Sequence, residues 1–148
     1  MSSYAVKRAQ QETEREQALE IRRQVFINEQ EVPEELEIDE HDLPHTPTIH
    51  VLAVDQGGNA CGAGRLREYE AGIGKIERVA VLSTVRGGGV GRMLMEKLEA
   101  EAREKGFHTL KLHAQLQAQP FYERLGYTPH GATFMDAGIE HIAMIKTV

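Results

Sequence analysis

The sequence predicts one α/β (α+β) domain, a mixed central sheet flanked by helices, and three observations carry that prediction. Ile76 to Leu82 (IERVAVL) reads as a buried strand, and the glycine-rich turn after it, centred on Arg86 to Arg92, opens an amphipathic helix. Apolar segments joined by short polar turns precede this unit, the pattern of consecutive antiparallel strands. A further alternating segment, His108 to His113 (HTLKLH), follows the helix, and a strand regained through a helix runs parallel to the one before it. With 148 residues the chain has room for a single domain (1–148) with a real core, and little room for two.

In chain order, Tyr4, Ala5 and Val6 begin a short strand. Thr13-x-x-Glu16 has the form of a capping box. The helix after it places Ala18, Ile21, Arg22 and Val25 on one side, is widened by Leu19 and Phe26, and ends near Gln30. Pro33 interrupts, so any helix beyond it is short. Thr48 to Asp55 and Ala60 to Tyr69 form a hairpin around Gln56-Gly57-Gly58-Asn59. Gly62 and Gly64 in its second strand predict a bulge or a close approach. After the Ala71-Gly72 turn comes the Ile76–Leu82 strand. The helix beyond it carries Val90, Leu94, Leu98 and Ala102 on one stripe, with Arg92, Glu96, Glu99 and Arg103 opposite. Gly106 sits where a C′ glycine stops a helix. After His108–His113, a short helix spans about Ala118 to Arg124 and closes at Gly126; Tyr127 onward and Glu140 to Thr147 are the last two strands.

Composition narrows the function classes. A formal net charge of −6 argues against nucleic acid as a partner. Cys61 is the single cysteine, so an intrachain disulfide is impossible and a reducing compartment is favoured. Met1 to Glu16 is polar with no apolar signal core, and no run approaches the length of a membrane span, so a cytoplasmic protein with no membrane partner is expected. His41, His45 and His50 lack metal-ligand spacing, HExxH and CxxC are absent, and no metal is expected.

The glycine turn offers what an anion needs: backbone free to approach closely, and the positive end of a new helix. The alternative is a turn that only joins strand to helix. It is not a Walker A loop, which needs G-x-x-x-x-G-K-[ST]. Nor is it a dinucleotide fingerprint, because Arg92 or Leu94 stands where the third glycine belongs. What fits is R-x-x-G-x-G, spelled Arg86-x-x-Gly89-x-Gly91. This resembles the acetyl-CoA pyrophosphate loop of the GNAT N-acetyltransferase superfamily. Phe121-Tyr122-Glu123-Arg124-Leu125-Gly126-Tyr127 is similar to a second motif of that family, in the right order, and the predicted elements match its fold along nearly the whole chain. Val25-Phe26 with Glu29-Gln30, and Gly138-Ile139-Glu140-His141-Ile142, resemble the ElaA/YjcF-like bacterial branch.

The resemblance implies a sheet splayed between its fourth and fifth strands, with acetyl-CoA as cosubstrate. The pantetheine arm would lie in the gap as a pseudo-strand on the Val79-Ala80-Val81 edge, bonded to the backbone of Val79 and Val81. Arg86, Gly87, Gly88, Gly89, Val90, Gly91 and Arg92 would hold the pyrophosphate, mostly through backbone N–H groups; Arg92 reads equally as a solvated helix-end arginine. Tyr122 takes the place of the general acid that protonates the leaving thiolate, or else packs its ring under the sheet. Gln115 stands where the family often has asparagine to contact the coenzyme, and reads otherwise as a polar helix-start residue. Glu77 sits where other members carry a proton acceptor, with an ion pair to Lys75, Arg78 or a neighbouring arginine as the alternative. His113 is the second candidate base and His141 the third.

Residues Glu29 to Asp42 hold eight carboxylates and no Lys or Arg. The segment is either a solvated loop or an acidic rim for an amine. The expected function is therefore acetyl-CoA-dependent transfer to a primary amine, a small cationic one, by direct attack. The alternative is a non-catalytic acyl-CoA-binding or sensing module on the same fold. Homodimerisation through the last strands is a habit of the family.

Overall fold

The computed structural model describes residues 3–148; Met1 and Ser2, at the head of the polar N-terminus, lie outside it. Strand β1 (Tyr4–Arg8) leads into helix α1 (Glu12–Arg22), which runs on as a π-helical segment, Arg23–Glu29, and then a one-turn helix α2 (Glu34–Glu37). Next come β2 (Ile49–Asp55), β3 (Ala60–Glu70), β4 (Ile73–Val81), α3 (Val90–Glu104), β5 (Thr109–Gln115), α4 (Gln119–Arg124), β6 (Thr128–Asp136) and β7 (Ile139–Thr147). The strands form one sheet in the order β1-β2-β3-β4-β5-β7-β6. Only β4 and β5 run parallel.

The start of α1 departs from the expected capping box. Gln11 rather than Thr13 is the N-cap, and the Glu14 carboxylate accepts from the backbone N–H groups of Gln10 and Gln11 at 3.2 and 3.1 Å. The helix thus begins two residues earlier, with the acceptor at N3 within reach of the backbone donors at its start. Its Ala18 and Ile21, with Val25 of the π-helical segment, pack on Leu52, Ala63 and Ala80, closing one face of the sheet.

Helix α3 covers the other face, with Val90, Leu94, Leu98 and Ala102 all buried, each large side chain contributing about 1.5–3 kcal/mol. Gly62 and Gly64 explain how it sits so close: a Cβ at Gly62 would stand 3.0 Å from Leu94 and Val90, and one at Gly64 3.0 Å from Leu98. Glu99 does not face solvent with Arg92. It lies beside the buried stripe, where Tyr127 Oη donates to it at 2.8 Å and Lys146 Nζ at 3.0 Å.

One irregularity shapes the centre of the sheet. Ala63 pairs with Ala80 but Arg65 pairs with Glu77, so Arg78 and Val79 together oppose Gly64 in a β-bulge. Arg78 adopts φ +60°, a strained conformation for a side chain of its size. The bulge bends β4 where its pairing with β5 stops. The parallel ladder runs from Ile73↔Thr109 to Ile76↔Leu112 and goes no further.

Candidate active site

Beyond Ile76 and Leu112 the two parallel strands diverge, and a cavity of about 490 Å³ opens between them. Val79, Ala80, Val81, His113 and Gln115 line its strand walls, and Val25, Phe26 and Val32 form an apolar side under the π-helical segment. Its volume falls in the range of small-molecule sites. The backbone along β4 points into it. Leu82 N–H donates to Cys61 C=O at 2.9 Å on the β3 side, so alternation turns the backbone groups of Val81 and Val79 toward the gap. The Val81 carbonyl accepts from Arg86 Nε at 2.9 Å there, while Arg86 Nη2 reaches Glu29 at 2.8 Å. Arg86 therefore closes one end of the gap, linking strand to helix.

The glycine turn stands at that end. Gly87 and Gly89 both have φ +86°, Gly89 is the N-cap of α3, and a Cβ at either would meet nothing within 4 Å. These glycines are required for backbone conformation, not for space inside the protein. Gly91 is different, since its Cβ would press on the Phe121 ring at 3.3 Å. Gly89→Ala is expected to cost about 1–2 kcal/mol of stability by forcing a left-handed alanine, and to weaken acetyl-CoA binding as the turn relaxes. Denaturant unfolding and calorimetry check the two effects separately, and unchanged affinity in the folded variant would remove the turn from the binding site. Arg92 lies outside on α3, 72% exposed and 3.6 Å from Glu96, which is the solvated helix-end arrangement.

Tyr122 lines the cavity from α4, its ring edge-on to Phe121 and Tyr127 with centroids 5.0 and 6.1 Å away. Its hydroxyl has no hydrogen-bond partner among the described residues, and burial pushes its pKa up to about 12. It is therefore protonated at neutral pH. Gln115 spends its amide on the chain itself: Gln115 Nε2 donates to Gln30 at 2.8 Å, and its oxygen accepts from Gln117, so it bridges β5 to the π-helical segment across the mouth.

Glu77 and His113 face each other's surroundings differently. The Glu77 carboxylate accepts from Arg67 Nε at 2.8 Å and Arg65 Nη2 at 2.9 Å, with Lys75 Nζ at 3.1 Å. Burial alone would raise its pKa, but these three cations outweigh it and hold the carboxyl well below its ordinary range. The ion-pair alternative for Glu77 is thus occupied. His113 lines the cavity, edge-on to Phe134 at 4.9 Å, and burial together with Lys75 and Lys111 lowers its pKa to about 4. It is neutral at physiological pH. His141 is buried, stacked on Phe134, with Nδ1 2.7 Å from the Ile139 carbonyl.

The acidic segment folds in a way its composition did not suggest. Glu37, Asp39 and Asp42 turn inward onto arginines. Arg22, 1% exposed, bonds Glu37 Oε2 at 2.8 Å and both Asp42 oxygens at 2.6 and 2.9 Å. Arg65, equally buried, forks onto both Asp39 oxygens at 2.8 Å and reaches Asp42 at 3.0 Å and Glu77 at 2.9 Å. Arg78 bonds the Leu36 and Glu37 carbonyls at 3.1 and 3.2 Å, fastening α2 to the β4 bulge. The segment is a wall of the cavity held by charge, and only Glu29, Glu31, Glu34, Glu35 and Glu40 remain at its surface. One signal in the sequence pointed this way: Arg22 falls on the apolar stripe of α1, where a guanidinium needs buried carboxylates.

Comparison with known proteins agrees with this geometry. Residues 9–148 match the acetyltransferase (GNAT) domain family. The chain is 41% identical over 139 residues to the uncharacterized N-acetyltransferase YjcF of Bacillus subtilis, covering 93% of this chain and 96% of YjcF. An acyl-CoA N-acyltransferase structure from Pseudomonas aeruginosa superimposes with a TM-score of 0.82 at 30% identity, covering 97% and 98% of the two chains. Escherichia coli ElaA shares the fold, with a TM-score of 0.83 at 24% identity over 99% of each chain. The chain belongs to the GNAT family, in the company of YjcF, and is an N-acetyltransferase.

Proposed function

We propose that this site transfers an acetyl group from acetyl-CoA to the nitrogen of a small primary amine by direct attack. The observation that best supports it is the splay of β4 from β5, which leaves an unpaired strand edge beside a hydroxyl with no protein partner. Pantetheine amides can bond the Val79 and Val81 backbone, and the glycine turn can take the pyrophosphate. The amine nitrogen attacks the thioester carbon, the C–N bond forms and the C–S bond breaks. The departing thiolate takes its proton from Tyr122, which recovers one from solvent.

The nitrogen must also lose a proton, and we assign its acceptance to His113 rather than Glu77. A neutral imidazole on the cavity wall has a free lone pair to offer, whereas Glu77 is committed to three cations. The amine arrives as its ammonium form, so its nitrogen gives one proton to solvent before it attacks the thioester carbon and passes the second to His113 as the amide forms. The surface carboxylates of the acidic segment still attract the ammonium form, but with Glu37, Asp39 and Asp42 neutralised inside, KM should rise only modestly with salt. A cytoplasmic setting agrees with the lone buried Cys61, and β6, exposed along nearly all its length at the sheet edge, is where a second copy would pair.

The test is release of free CoA from acetyl-CoA against a panel of amines, with pH profiles of kcat/KM. His113→Asn is expected to lower kcat by roughly tenfold to a hundredfold or more and to remove an acid limb near pH 4. Glu77→Gln is expected to lower the melting temperature while leaving the profile's shape intact. Loss of the limb in Glu77→Gln would reverse the assignment, and no amine-dependent CoA release would overturn the transfer itself.

A further inference from the structure

Cations crowd one part of the sheet face in front of the cavity, and the transfer chemistry leaves them unused. Arg67 and Tyr69 on β3, Lys75 on β4 and Lys111 on β5 share this face. Lys75 and Lys111 are register partners across the parallel ladder, so two lysines leave the sheet from adjacent strands at the same level. Like charges directly opposite in a sheet oppose its formation. Glu77 answers Lys75 at 3.1 Å, but it already serves Arg67 and Arg65. Lys111 makes no ion pair among the described residues. Its ammonium rests instead 4.7 Å from the centroid of the exposed Tyr69 ring, over which Lys75 also stands at 5.8 Å. The Tyr69 ring thus stands beside two ammonium groups, and of these Lys111 has no carboxylate partner among the described residues.

Placement gives this cluster a purpose. Lys75 lines the cavity, and Lys111 precedes His113 by two positions on the same face of β5. The glycine turn lies beyond the far, C-terminal end of β4, so the coenzyme's pyrophosphate does not reach here.

We propose that Lys111 and Lys75, above Tyr69, seat a carboxylate of the acceptor, so that the acceptor is a small amino acid whose reacting amine lies at the other end, by His113. The inference rests on the transfer reading. Two residues along a strand span about 7 Å, close to the length of an extended chain with about four methylenes between amine and carboxylate. The seat also orients the acceptor, since the carboxylate end cannot approach Glu77 without meeting its cations first.

The probes are 5-aminopentanoate and its neutral amide, 5-aminopentanamide, bound to the full chain loaded with CoA and followed by calorimetry. The carboxylate probe is expected to bind roughly tenfold tighter or more, with the difference shrinking as salt rises. Lys111→Met should abolish the preference without changing the affinity of the amide, and Lys111→Arg should restore it. Equal affinity of the two probes for the wild type would overturn the proposal, as would a Lys111→Met variant that weakens both alike. Steady-state CoA release with the same probes separates the two readings. A binding preference with no CoA release from this probe or from any amine of the panel upholds the carboxylate seat and overturns the transfer. Equal kcat/KM for both probes upholds the transfer and overturns the seat.

Discussion

Tyr122→Phe is expected to lower kcat by roughly a hundredfold or more, the usual worth of a positioned acid, with acetyl-CoA affinity nearly unchanged. The ring keeps its edge-on contacts with Phe121 and Tyr127, so the variant removes one oxygen and little else. No other group in the protein loses a hydrogen bond, because that hydroxyl has no partner among the described residues. Stability should therefore hold, and the loss should fall on the chemical step. Burial that holds the phenol near 12 keeps it protonated across the working range, so the wild-type profile should show no alkaline limb from Tyr122 below that value. Turnover rates for wild type and variant, with calorimetric Kd values for acetyl-CoA, decide the matter. Undiminished turnover would move the proton donor to solvent.

Arg65→Met is expected to destabilise the protein by about 3–5 kcal/mol, because removing one partner strands buried charges. Asp39, Asp42 and Glu77 all rely on this guanidinium, which is 1% exposed. The same network sets the acid limb of stability. Burial would raise the carboxyl pKa values of Asp42 and Glu77, but arginine contacts overcome it and lower both, and Asp39 is lowered likewise. Groups with depressed folded pKa values stabilise fully above their unfolded values, near 4, and lose that contribution as pH falls toward the folded ones. Glu37 runs the other way: burial outweighs Arg22 and Arg78, its pKa is raised, and protonation relieves a cost. His50 enters earlier. Burial drops its pKa from 6.5 to about 4, and His113 is lowered to the same value, so both make stability decline as pH falls between those values. Urea unfolding midpoints from pH 7 down to 3 should show a two-part decline in the wild type, and in Arg65→Met the part below pH 4 should flatten. A wild-type stability that is level from pH 7 to 4 would contradict the lowered values of both His50 and His113.

The elements that local chemistry dictates were legible in the chain. The α3 stripe, the glycine turn with its left-handed Gly87 and Gly89, and each hairpin follow from spacing and turn residues alone. Boundaries moved where tertiary packing overrode local signals. Strand β4 starts at Ile73, three residues earlier than the expected Ile76, and Gly74 falls inside it because Phe107, Leu66 and Leu110 crowd against that glycine and leave no room for a side chain. The bulge was legible only from its partner strand, where Gly64 stands opposite it; that Arg78 and Val79 carry it was not. Arg78 takes a conformation that glycine prefers, held there by bonds to α2 residues more than forty positions away in part, Leu36 and Glu37. The acidic segment misled for a similar reason. Composition counts charges, but whether Asp42 faces solvent or Arg22 is decided by elements that meet only in the folded chain.

The short ladder between β4 and β5 has a consequence for how the molecule yields. Only four residue pairs join β1–β4 to β5–β7 within the sheet. Each half is well paired inside itself, and among the described strands no other neighbouring pair has so few register partners. Opening along it exposes less than global unfolding does, so amides flanking the seam should exchange with deuterated solvent ahead of those in β2 and β3. A cosubstrate lodged in the gap touches both halves. It would act as a stitch, slowing exchange on two strands that share no bond with one another past Ile76, and its departure after turnover would loosen them together.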